Sequence, residues 1–223
     1  MRTSEYLKKM RSDWDERARS NARFYIADSR ADWTEEDFRA SGNQTVAEDI
    51  LTDMTNICQG KDPRQMRVLE LGCGAGRVTR ALAGVFGEVH AVDVSPEMVA
   101  RARAAVSEAG NARVHEIDGA KLDPLGHLTF DFAYSCCVFH HISSVDVIRS
   151  LVLEVGKRLK PGGLFKFEVQ GAAEVRSEPG DTWLGAPFSL DDAKQLAGDC
   201  GFELRFHVGE GQERFWLWFF RQP

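Results

Sequence analysis

The sequence predicts an α/β fold: a doubly wound, seven-stranded, mostly parallel sheet with helices on both faces, a C-terminal antiparallel hairpin and a helical N-terminal cap. Three patterns lead to this prediction. A glycine-rich turn follows apolar residues that end at Leu71 and precedes a run with helical spacing. From Met66 onward, strand-like and helix-like segments alternate, as in βαβ units. The last two apolar segments, 201–208 and 213–221, are joined by a linker too short for a crossover helix.

The length and charge of the chain limit its organisation and its partners. Its 223 residues suffice for one sizeable core. We divide this single structural domain into a helical cap or lid, 1–60, and an α/β core, 61–223. A formal net charge of −6 disfavours a nucleic-acid partner. No apolar run approaches the ~20 residues of a membrane span, and the charged N-terminus is unlike a signal peptide.

The five cysteines are odd in number and lack the spacing of zinc-binding motifs. We interpret them as reduced thiols, which predicts a cytoplasmic protein without a bound metal. The adjacent Cys136 and Cys137 could bind a soft ion. Buried cysteines usually act as small apolar side chains, however, and we favour that interpretation.

Helices are predicted throughout the cap. An apolar stripe with a spacing of four residues predicts the first helix: Tyr6, Met10 and Trp14. A second helix is predicted over 34–40, where Thr34 is a suitable N-cap and Gly42 ends the helix. A third helix is predicted over 46–57, before the break at Gly60.

The core segments follow in order. After the first strand, the predicted strands are 89–92, 113–117, 130–137, 164–170, 201–208 and 213–221. The helices between them have apolar faces, with Ser95 and Ser144 as caps of two of them. The last strand is almost continuously apolar, which predicts a position inside the sheet rather than at its edge.

The glycine-rich turn is the strongest candidate for a binding site. Gly72, Gly74 and Gly76 lack side chains, so a ligand can approach the backbone there. The next strand ends in Asp93, where a carboxylate is placed to accept hydrogen bonds from a ribose diol. The dinucleotide fingerprint G-x-G-x-x-G requires a later third glycine, at the position that Arg77 occupies.

These residues resemble motif I of the class I (Rossmann-like) S-adenosylmethionine-dependent methyltransferases. Three further segments are similar to motifs of the same family: 118–120, 131–142 and 158–164. The last of them, Arg158-Leu159-Lys160-Pro161-Gly162-Gly163-Leu164, is typical of the small-molecule type. The resemblance covers about 66–170, and the terminal hairpin in outline. It implies transfer of a methyl group from S-adenosyl-L-methionine to a small-molecule acceptor. We expect a monomer or homodimer without a nucleic-acid or membrane partner.

The resemblance also implies a set of cofactor-binding residues: Glu70, Gly72, Cys73, Gly74, Gly76, Asp93, Val94, Met98, Asp118, Gly119, Ala120, Ser135 and Cys136. In such enzymes the residue matched by Asp93 binds both ribose hydroxyls, and the segment matched by 118–120 meets the adenine. Arg17, Asn21 and Tyr25 would share one helix face. Our hypothesis is that Arg17 or Tyr25 contacts the cofactor carboxylate; a surface arginine and a core tyrosine are the alternative.

Candidates for the acceptor side follow the fourth strand. His140 and His141 are candidate general bases, because imidazole titrates near neutral pH. In an extended chain adjacent side chains point in opposite directions, so we expect at most one of them to face the site. Helix capping is the alternative role. The proline-containing turn typical of nucleic-base methyltransferases is absent at 135–138, which further disfavours a nucleic-acid acceptor.

Other polar and aromatic residues leave alternatives open. Lys166, Glu168 and Gln170 alternate with apolar residues, which indicates a partly solvated strand face or, alternatively, side chains that point into an acceptor pocket. Three tryptophans could form an aromatic acceptor wall or simply pack the cap onto the core: Trp14, Trp33 and Trp183. The segment 181–187 is a second candidate wall.

Two other functional classes remain compatible with the sequence. A nicotinamide-dependent oxidoreductase also has a glycine turn, although the missing last glycine and the terminal hairpin disfavour it. A catalytically silent module that binds the cofactor to regulate a partner would retain the same turn and the same carboxylate at Asp93.

Overall fold

The computed structural model describes residues 1–27, 32–175 and 177–223. The helices are α1 (Thr3–Ala27), α2 (Glu35–Asp49), α3 (Met54–Cys58), α4 (Arg77–Ala83), α5 (Pro96–Ala105), α6 (Val145–Arg158) and α7 (Leu190–Asp199). The strands are β1 (Arg67–Leu71), β2 (Glu88–Asp93), β3 (Ala112–Glu116), β4 (Phe130–Ser135), β5 (Leu159–Val169), β6 (Phe202–Val208) and β7 (Phe215–Arg221). No helix in these ranges is long and apolar enough to span a bilayer.

The seven strands form one sheet in the order β3-β2-β1-β4-β5-β7-β6. Strands β1 to β5 are parallel, whereas β7 runs antiparallel to both β5 and β6. This arrangement confirms the predicted fold, including the terminal hairpin and the internal position of β7. The strand order reverses between β1 and β4, and ligands of open α/β sheets bind in the crevice at such a point.

Both faces of the sheet are covered by apolar side chains. Leu69 of β1 and Phe167 of β5 belong to the core under α6 and α7. Val68 and Phe132 belong to the opposite core, which includes residues of α2, α4 and α5. Burial on both faces explains why the central strands are almost entirely apolar, since neither face of a doubly wound sheet reaches water.

Helix α2 differs from its prediction because Gly42 does not end it. The helix begins after the Thr34 cap, whose hydroxyl accepts a hydrogen bond from the Asp37 amide, and continues to Asp49. A Cβ at Gly42 would lie 2.2 Å from the carbonyl oxygen of Arg77. The glycine therefore allows α2 to approach the first turn of α4, and the helix pattern alone does not reveal this packing role. The predicted third helix is correspondingly shorter, a 3₁₀ turn at 51–53 followed by α3.

Helix α1 is interrupted at Asn21, whose φ and ψ are −160° and 83°. The prediction that Arg17, Asn21 and Tyr25 share one helix face is therefore wrong, because the chain changes direction between Arg17 and Tyr25. The part before Asn21 runs along the core, and the part after it approaches the glycine turn.

The polar residues of β5 are buried, so the expectation of a partly solvated face is wrong. Lys166, Glu168 and Gln170 are 4%, 0% and 2% exposed. The Lys166 ammonium donates to the carbonyl oxygen of Asp49 and lies 3.1 Å from a carboxylate oxygen of Asp53. Polar partners on neighbouring segments thus replace water, in agreement with the rule that buried charges are paired.

Candidate functional site

A cavity of about 920 Å³, partly open to solvent, lies at the carboxyl ends of β1 and β2; we call it the glycine-loop cavity. The core contributes much of its lining: Glu70, Leu71, Gly72, Cys73, Gly74, Arg77, Val78, Asp93, Val94, Met98, Ile117, Gly119 and Cys136. Helix α1 contributes Met10, Trp14, Tyr25 and Ile26. The cavity thus lies at the topological switch point, with one wall formed by the N-terminal helix.

The glycine turn needs glycine for both conformation and space. Gly72 and Gly74 have φ of 68° and 52°, in the left-handed region that other residues avoid. A Cβ at Gly72 would lie 2.2 Å from Cγ2 of Val138, and one at Gly74 would lie 2.8 Å from Cδ1 of Ile26. Bare backbone therefore faces the loop after β4 on one side and α1 on the other.

Asp93 lies at the end of β2, beside this turn. Its Oδ2 accepts a hydrogen bond of 2.9 Å from the Gly74 amide, and its Oδ1 accepts one of 2.9 Å from the Ser95 amide. Burial raises the pKa of Asp93, although the two backbone hydrogen bonds oppose this effect. Each carboxylate oxygen has a second lone pair, so the group retains acceptor capacity for a diol in the cavity.

Glu70 is a buried carboxyl directly before the turn. Its Oε2 accepts a hydrogen bond of 2.6 Å from the Thr79 hydroxyl. Burial raises the pKa of Glu70 to about 7, with the Thr79 hydrogen bond opposing the shift. This side chain therefore keeps its proton to a higher pH than an ordinary glutamate.

Several predicted cofactor residues lie outside the lining of the glycine-loop cavity. Gly76 is the N-cap of α4. The Ser135 hydroxyl is buried and donates to the Leu71 carbonyl oxygen over 3.0 Å. Asp118 is exposed, and its Oδ1 accepts hydrogen bonds of 2.8 Å from the amides of Ala120 and Lys121. Of the segment 118–120, Gly119 alone lines the cavity.

Arg17 is also directed away from the glycine-loop cavity. Its guanidinium donates to the carbonyl oxygen of Thr182 over 2.9 Å and to the hydroxyl of the same residue over 3.1 Å. The group lies 4.7 Å and 5.3 Å from the ring centroids of Trp14 and Trp183. Tyr25, by contrast, lines the cavity. The hypothesis about the cofactor carboxylate is therefore retained for Tyr25 rather than Arg17.

Arg77 is a lining residue that the sequence pattern did not single out as functional. Its side chain donates to the Thr45 hydroxyl over 2.7 Å and to the Ser41 carbonyl oxygen over 3.2 Å, while its buried Nε has no hydrogen-bond partner among the described residues. The departure from the dinucleotide fingerprint at this position was the available signal. A cation here borders both cavities of the site.

A second cavity, of about 1170 Å³ and partly open to solvent, adjoins the first; we call it the histidine cavity. Its lining includes Tyr25, Trp33, Asp49, Arg77, Cys136, Cys137, His140, His141, Gln170, Trp183, Leu184, Arg214 and Trp216. Trp183 and Leu184 come from the predicted wall segment 181–187. Trp33 borders this cavity, whereas Trp14 lines the glycine-loop cavity and lies 6.2 Å, between ring centroids, from Trp183.

Both histidines line the second cavity, so the expectation that at most one faces it is wrong. They lie in a 3₁₀ turn rather than an extended chain, and their ring centroids are 4.0 Å apart. Nδ1 of His141 is 2.5 Å from the Trp183 carbonyl oxygen, which can only accept, so His141 donates there. Its Nε2 is then the acceptor for Nε2 of His140, at 2.9 Å.

The remaining ring nitrogen, Nδ1 of His140, is 3.3 Å from Oε1 of Glu168. It is buried, and no described residue completes a hydrogen bond with it. Burial lowers the pKa of His141 to about 3, and the neighbouring His140 adds to this shift. His141 is therefore neutral at physiological pH with both ring nitrogens in hydrogen bonds, whereas Nδ1 is the ring nitrogen of His140 without one.

Cys136 and Cys137 are partly buried and line the cavities, and Cys136 also packs against the core, so their interpretation as apolar side chains stays a prediction. Their Sγ atoms are 3.5 Å apart. Strand β4 ends at Ser135, two residues earlier than predicted, and Cys137 has a φ of 59°. A hydrogen bond with the Cys136 thiol lowers the pKa of Cys137 and raises that of Cys136.

Helix α1 is attached to the core by Asp15. One carboxylate oxygen accepts hydrogen bonds of 2.9 Å from both the Ser95 hydroxyl and the Glu97 amide, at the start of α5. Burial alone would raise the pKa of Asp15, but these hydrogen bonds, together with the charge of Arg19, lower it. The wall formed by α1 is thus attached to the core at Ser95, which is two residues after Asp93 in the sequence.

Comparisons with known proteins show similarity to methyltransferases. Residues 68–163 match the family described as "Methyltransferase domain". The chain is 34% identical over 110 residues to "Ribosomal RNA small subunit methyltransferase A" of Rubrobacter xylanophilus, a match that covers 43% of this chain and 42% of that protein. It is 30% identical over 105 residues to "Ubiquinone biosynthesis O-methyltransferase" of Xanthomonas axonopodis, covering 46% and 42%. The chain spans less than half the length of these curated relatives.

Among solved structures, the magnesium protoporphyrin IX methyltransferase of Synechocystis PCC 6803, crystallised with bound SAM, has a TM-score of 0.68 at 17% identity, with 97% of each chain covered. The chain therefore has the α/β fold of this methyltransferase structure. Its residues 68–163 are similar to a methyltransferase domain.

Proposed function

We propose that this protein transfers the methyl group of S-adenosylmethionine to a small-molecule acceptor. The observation that carries the proposal is the glycine-loop cavity, in which bare backbone at Gly72 and Gly74 lies beside the Asp93 carboxylate. A nucleoside with a charged amino-acid tail needs these features: a ribose acceptor, close backbone approach and apolar walls. The matching domain and the relatives named above support this choice of cofactor.

The proposed arrangement places the cofactor in the glycine-loop cavity and the acceptor in the histidine cavity. Cys136 and Cys137 border both, so the sulfonium methyl would lie near their backbone. The sulfonium is already activated, and alignment of the acceptor with the carbon–sulfur bond supplies most of the rate, since proximity can contribute ~7–11 kcal/mol. His140 is the proposed base for acceptors that must lose a proton, with His141 as its orienting partner.

We propose that segment 1–60 acts as a lid over this site. Met10, Trp14, Tyr25 and Ile26 form one wall of the glycine-loop cavity, and Asp15 attaches that wall to the core. A lid of this kind excludes water and completes the binding surface after the cofactor has entered. The five unpaired cysteines support a location in a reducing compartment, the cytoplasm. The proposed oligomeric state is a monomer or a homodimer.

A small molecule rather than a nucleic acid is the proposed acceptor because the net charge of the protein is −6 and aromatic side chains line the histidine cavity. Ribosomal RNA, named in one relative, is the substrate class to test against it.

The test measures release of S-adenosylhomocysteine after the protein and S-adenosylmethionine are mixed with a fractionated cell extract. Turnover confined to the small-metabolite fraction is expected, and mass spectrometry then identifies the acceptor. Turnover with only RNA or protein fractions contradicts the acceptor class. Binding of NADH without binding of S-adenosylmethionine contradicts the proposal as a whole, and tight cofactor binding without turnover on any fraction favours a regulatory module.

A further inference from the structure

Three potential metal ligands meet where the two cavities join. The Sγ atoms of Cys136 and Cys137 and one carboxylate oxygen of Glu168 all lie within 4.8 Å of one another. Glu168 lies on β5, whereas the two cysteines lie in the bend that directly follows the neighbouring strand β4, so one ligand is held on the sheet and two lie just beyond it. Ligands held on strands keep their geometry better than ligands on loops.

Glu168 has an unsatisfied oxygen at this position. The side chain is 0% exposed. Its Oε1 accepts a hydrogen bond from the Cys137 amide, whereas Oε2 has no hydrogen-bond partner among the described residues. Nε of Arg214 lies 3.8 Å from Oε2, within the distance of an ion pair but too far for a hydrogen bond. Buried carboxylate oxygens are normally hydrogen-bonded, so this oxygen has the capacity to bind a further ligand.

The backbone conformation of Cys137 also indicates a binding site at this position. Cys137 has a φ of 59°, in the left-handed region that costs a side-chain-bearing residue of order 1–3 kcal/mol. This conformation brings its thiol beside that of the preceding residue, whereas adjacent side chains of an extended strand diverge. A strained residue that directs two thiols and a buried carboxylate to one point is characteristic of a functional site.

We propose that Cys136, Cys137 and Glu168 bind a thiophilic divalent cation, and that zinc is the ion this ligand set fits. Two thiolates on a tetrahedral zinc, each at about 2.3 Å from it, lie roughly 3.8 Å apart. The observed separation of 3.5 Å is close to that value. Sulfur ligands select zinc over magnesium or calcium, which prefer oxygen.

The charges around the cluster balance with such an ion. Two thiolates and one carboxylate carry three negative charges, which a divalent cation and the Arg214 guanidinium neutralise together. A terminal nitrogen of Arg214 donates to Sγ of Cys137 over 2.9 Å, and this contact is compatible with a thiolate that binds metal through another lone pair. Arg214 would therefore stabilise the ligand, as hydrogen-bond donors around metal centres do.

Three protein ligands leave the fourth position of a tetrahedral ion free, as in catalytic zinc sites. That position faces the histidine cavity, which both cysteines and His140 line. There the ion would bind a hydroxyl or thiol of the acceptor and favour loss of its proton to the proposed base His140. The resulting anion would form the new bond to the methyl carbon as the carbon–sulfur bond breaks. This role rests on the proposed methyl transfer, whereas cation binding itself does not.

Cobalt substitution tests the proposal on the unaltered protein. Chelator-treated protein is titrated with Co²⁺ and then with competing Zn²⁺. One Co²⁺ per chain is expected, with thiolate-to-cobalt charge-transfer absorption and the visible bands of a tetrahedral ion, all abolished by one equivalent of Zn²⁺. The absence of charge-transfer absorption in the wild-type protein overturns the proposal.

Variants locate the ion. Cys136→Ser combined with Cys137→Ser should weaken zinc binding by about 100-fold or more, and Glu168→Gln and Arg214→Gln each by about 10–100-fold. Cys200→Ser, which removes a buried thiol elsewhere, is the matched control and should retain the wild-type affinity. Circular dichroism verifies that each variant is folded.

One competing location must be tested directly. His90 and His115 form a second nitrogen cluster, with Nδ1 of one 3.0 Å from Nε2 of the other. Zinc binding that survives the double cysteine substitution and disappears in His115→Gln overturns the proposal. Calorimetry with S-adenosylmethionine separates the two proposals, because zinc binding without cofactor binding contradicts the proposed function alone, and the reverse result contradicts only the metal site.

Discussion

The backbone amide of Gly74 donates a hydrogen bond of 2.9 Å to Oδ2 of Asp93. This contact joins the turn after β1 to the end of β2, so the two parts of the glycine-loop cavity that would hold a nucleoside are positioned by each other. A glycine is required at the donor position because its φ is 52° and Ile26 occupies the space of a Cβ. The carboxylate therefore has a structural role as well as its proposed binding role.

Replacement of Asp93 tests the proposed ribose contact. Asp93→Ala should weaken S-adenosylmethionine binding by about one to two orders of magnitude, because hydrogen bonds to a charged group contribute ~1.5–3 kcal/mol. Isothermal titration calorimetry measures the affinity. Asp191→Ala, at an exposed position of α7, is the control and should bind normally. Equal affinities for the two variants would contradict the assignment.

Glu70 should make stability depend on pH. Burial raises its pKa from 4.5 to about 7. The folded state then binds more protons than the unfolded state between these values, so the free energy of unfolding falls as pH rises through that window. Glu70→Gln can keep the hydrogen bond to Thr79 without titrating. Relative to this variant, the wild type should lose about 2–3 kcal/mol at most between about pH 4.5 and pH 8.

Urea unfolding across that pH range gives the required free energies for wild type and Glu70→Gln. Glu203→Gln, at a mostly exposed position on β6, serves as the control and should follow the wild type. Parallel pH profiles for wild type and Glu70→Gln would show that Glu70 ionises normally in the folded protein.

Asp15 should control the opening of α1. Asp15→Asn replaces a charged acceptor of two hydrogen bonds by a neutral one, and segment 1–20 should exchange its amide hydrogens about 10–100-fold faster. Hydrogen exchange monitored by mass spectrometry measures this rate. Glu16→Gln, at the exposed neighbouring position, is the control. Exchange that is the same in all three proteins would mean that other contacts hold the helix.

The Asp15 carboxylate should also make the opening of α1 depend on pH. The pKa of Asp15 is lowered in the folded protein, so its stabilisation of α1 is complete above the ordinary aspartate value and is lost as pH falls through the lower folded value. Exchange in segment 1–20 should therefore accelerate at acid pH, after correction for the intrinsic rate. In Asp15→Asn this additional acceleration should be absent.

The histidines should differ in their effect on turnover. His140→Gln should lower kcat by about 10²–10⁴-fold if it removes a base, whereas His141→Gln, which removes only an orienting hydrogen bond, should have a smaller effect. With a pKa of about 3, His141 is neutral above pH 5, so its variant should keep the wild-type pH profile. His127→Gln, at an exposed position, is the control. Unchanged kcat in His140→Gln would indicate transfer by alignment alone.

The sequence predicted the parts of the fold that repeat a short pattern. Apolar periodicity located the strands and the internal position of β7, because burial on both faces leaves a continuous apolar run such as that from Phe215 to Phe220. Glycine spacing located the binding turn, because positive φ at Gly72 and Gly74 is a local requirement. These signals are local, and tertiary packing did not alter them.

The wrong predictions concern contacts between distant segments. Gly42 resembles a helix terminator, but its lack of a side chain serves a contact with Arg77, which is 35 positions later. Lys166 resembles a solvated residue, but its partner Asp49 lies on α2. The kink at Asn21 and the left-handed Cys137 likewise depend on neighbours that a single sequence does not reveal.

The wall that α1 places over the glycine-loop cavity has a kinetic consequence. A molecule bound behind Met10, Trp14 and Ile26 should leave this partly open cavity faster once the wall has moved. The frequency at which the helix opens then contributes to the dissociation rate of anything bound there. Residence time would thus depend in part on Asp15, which lies outside the cavity lining.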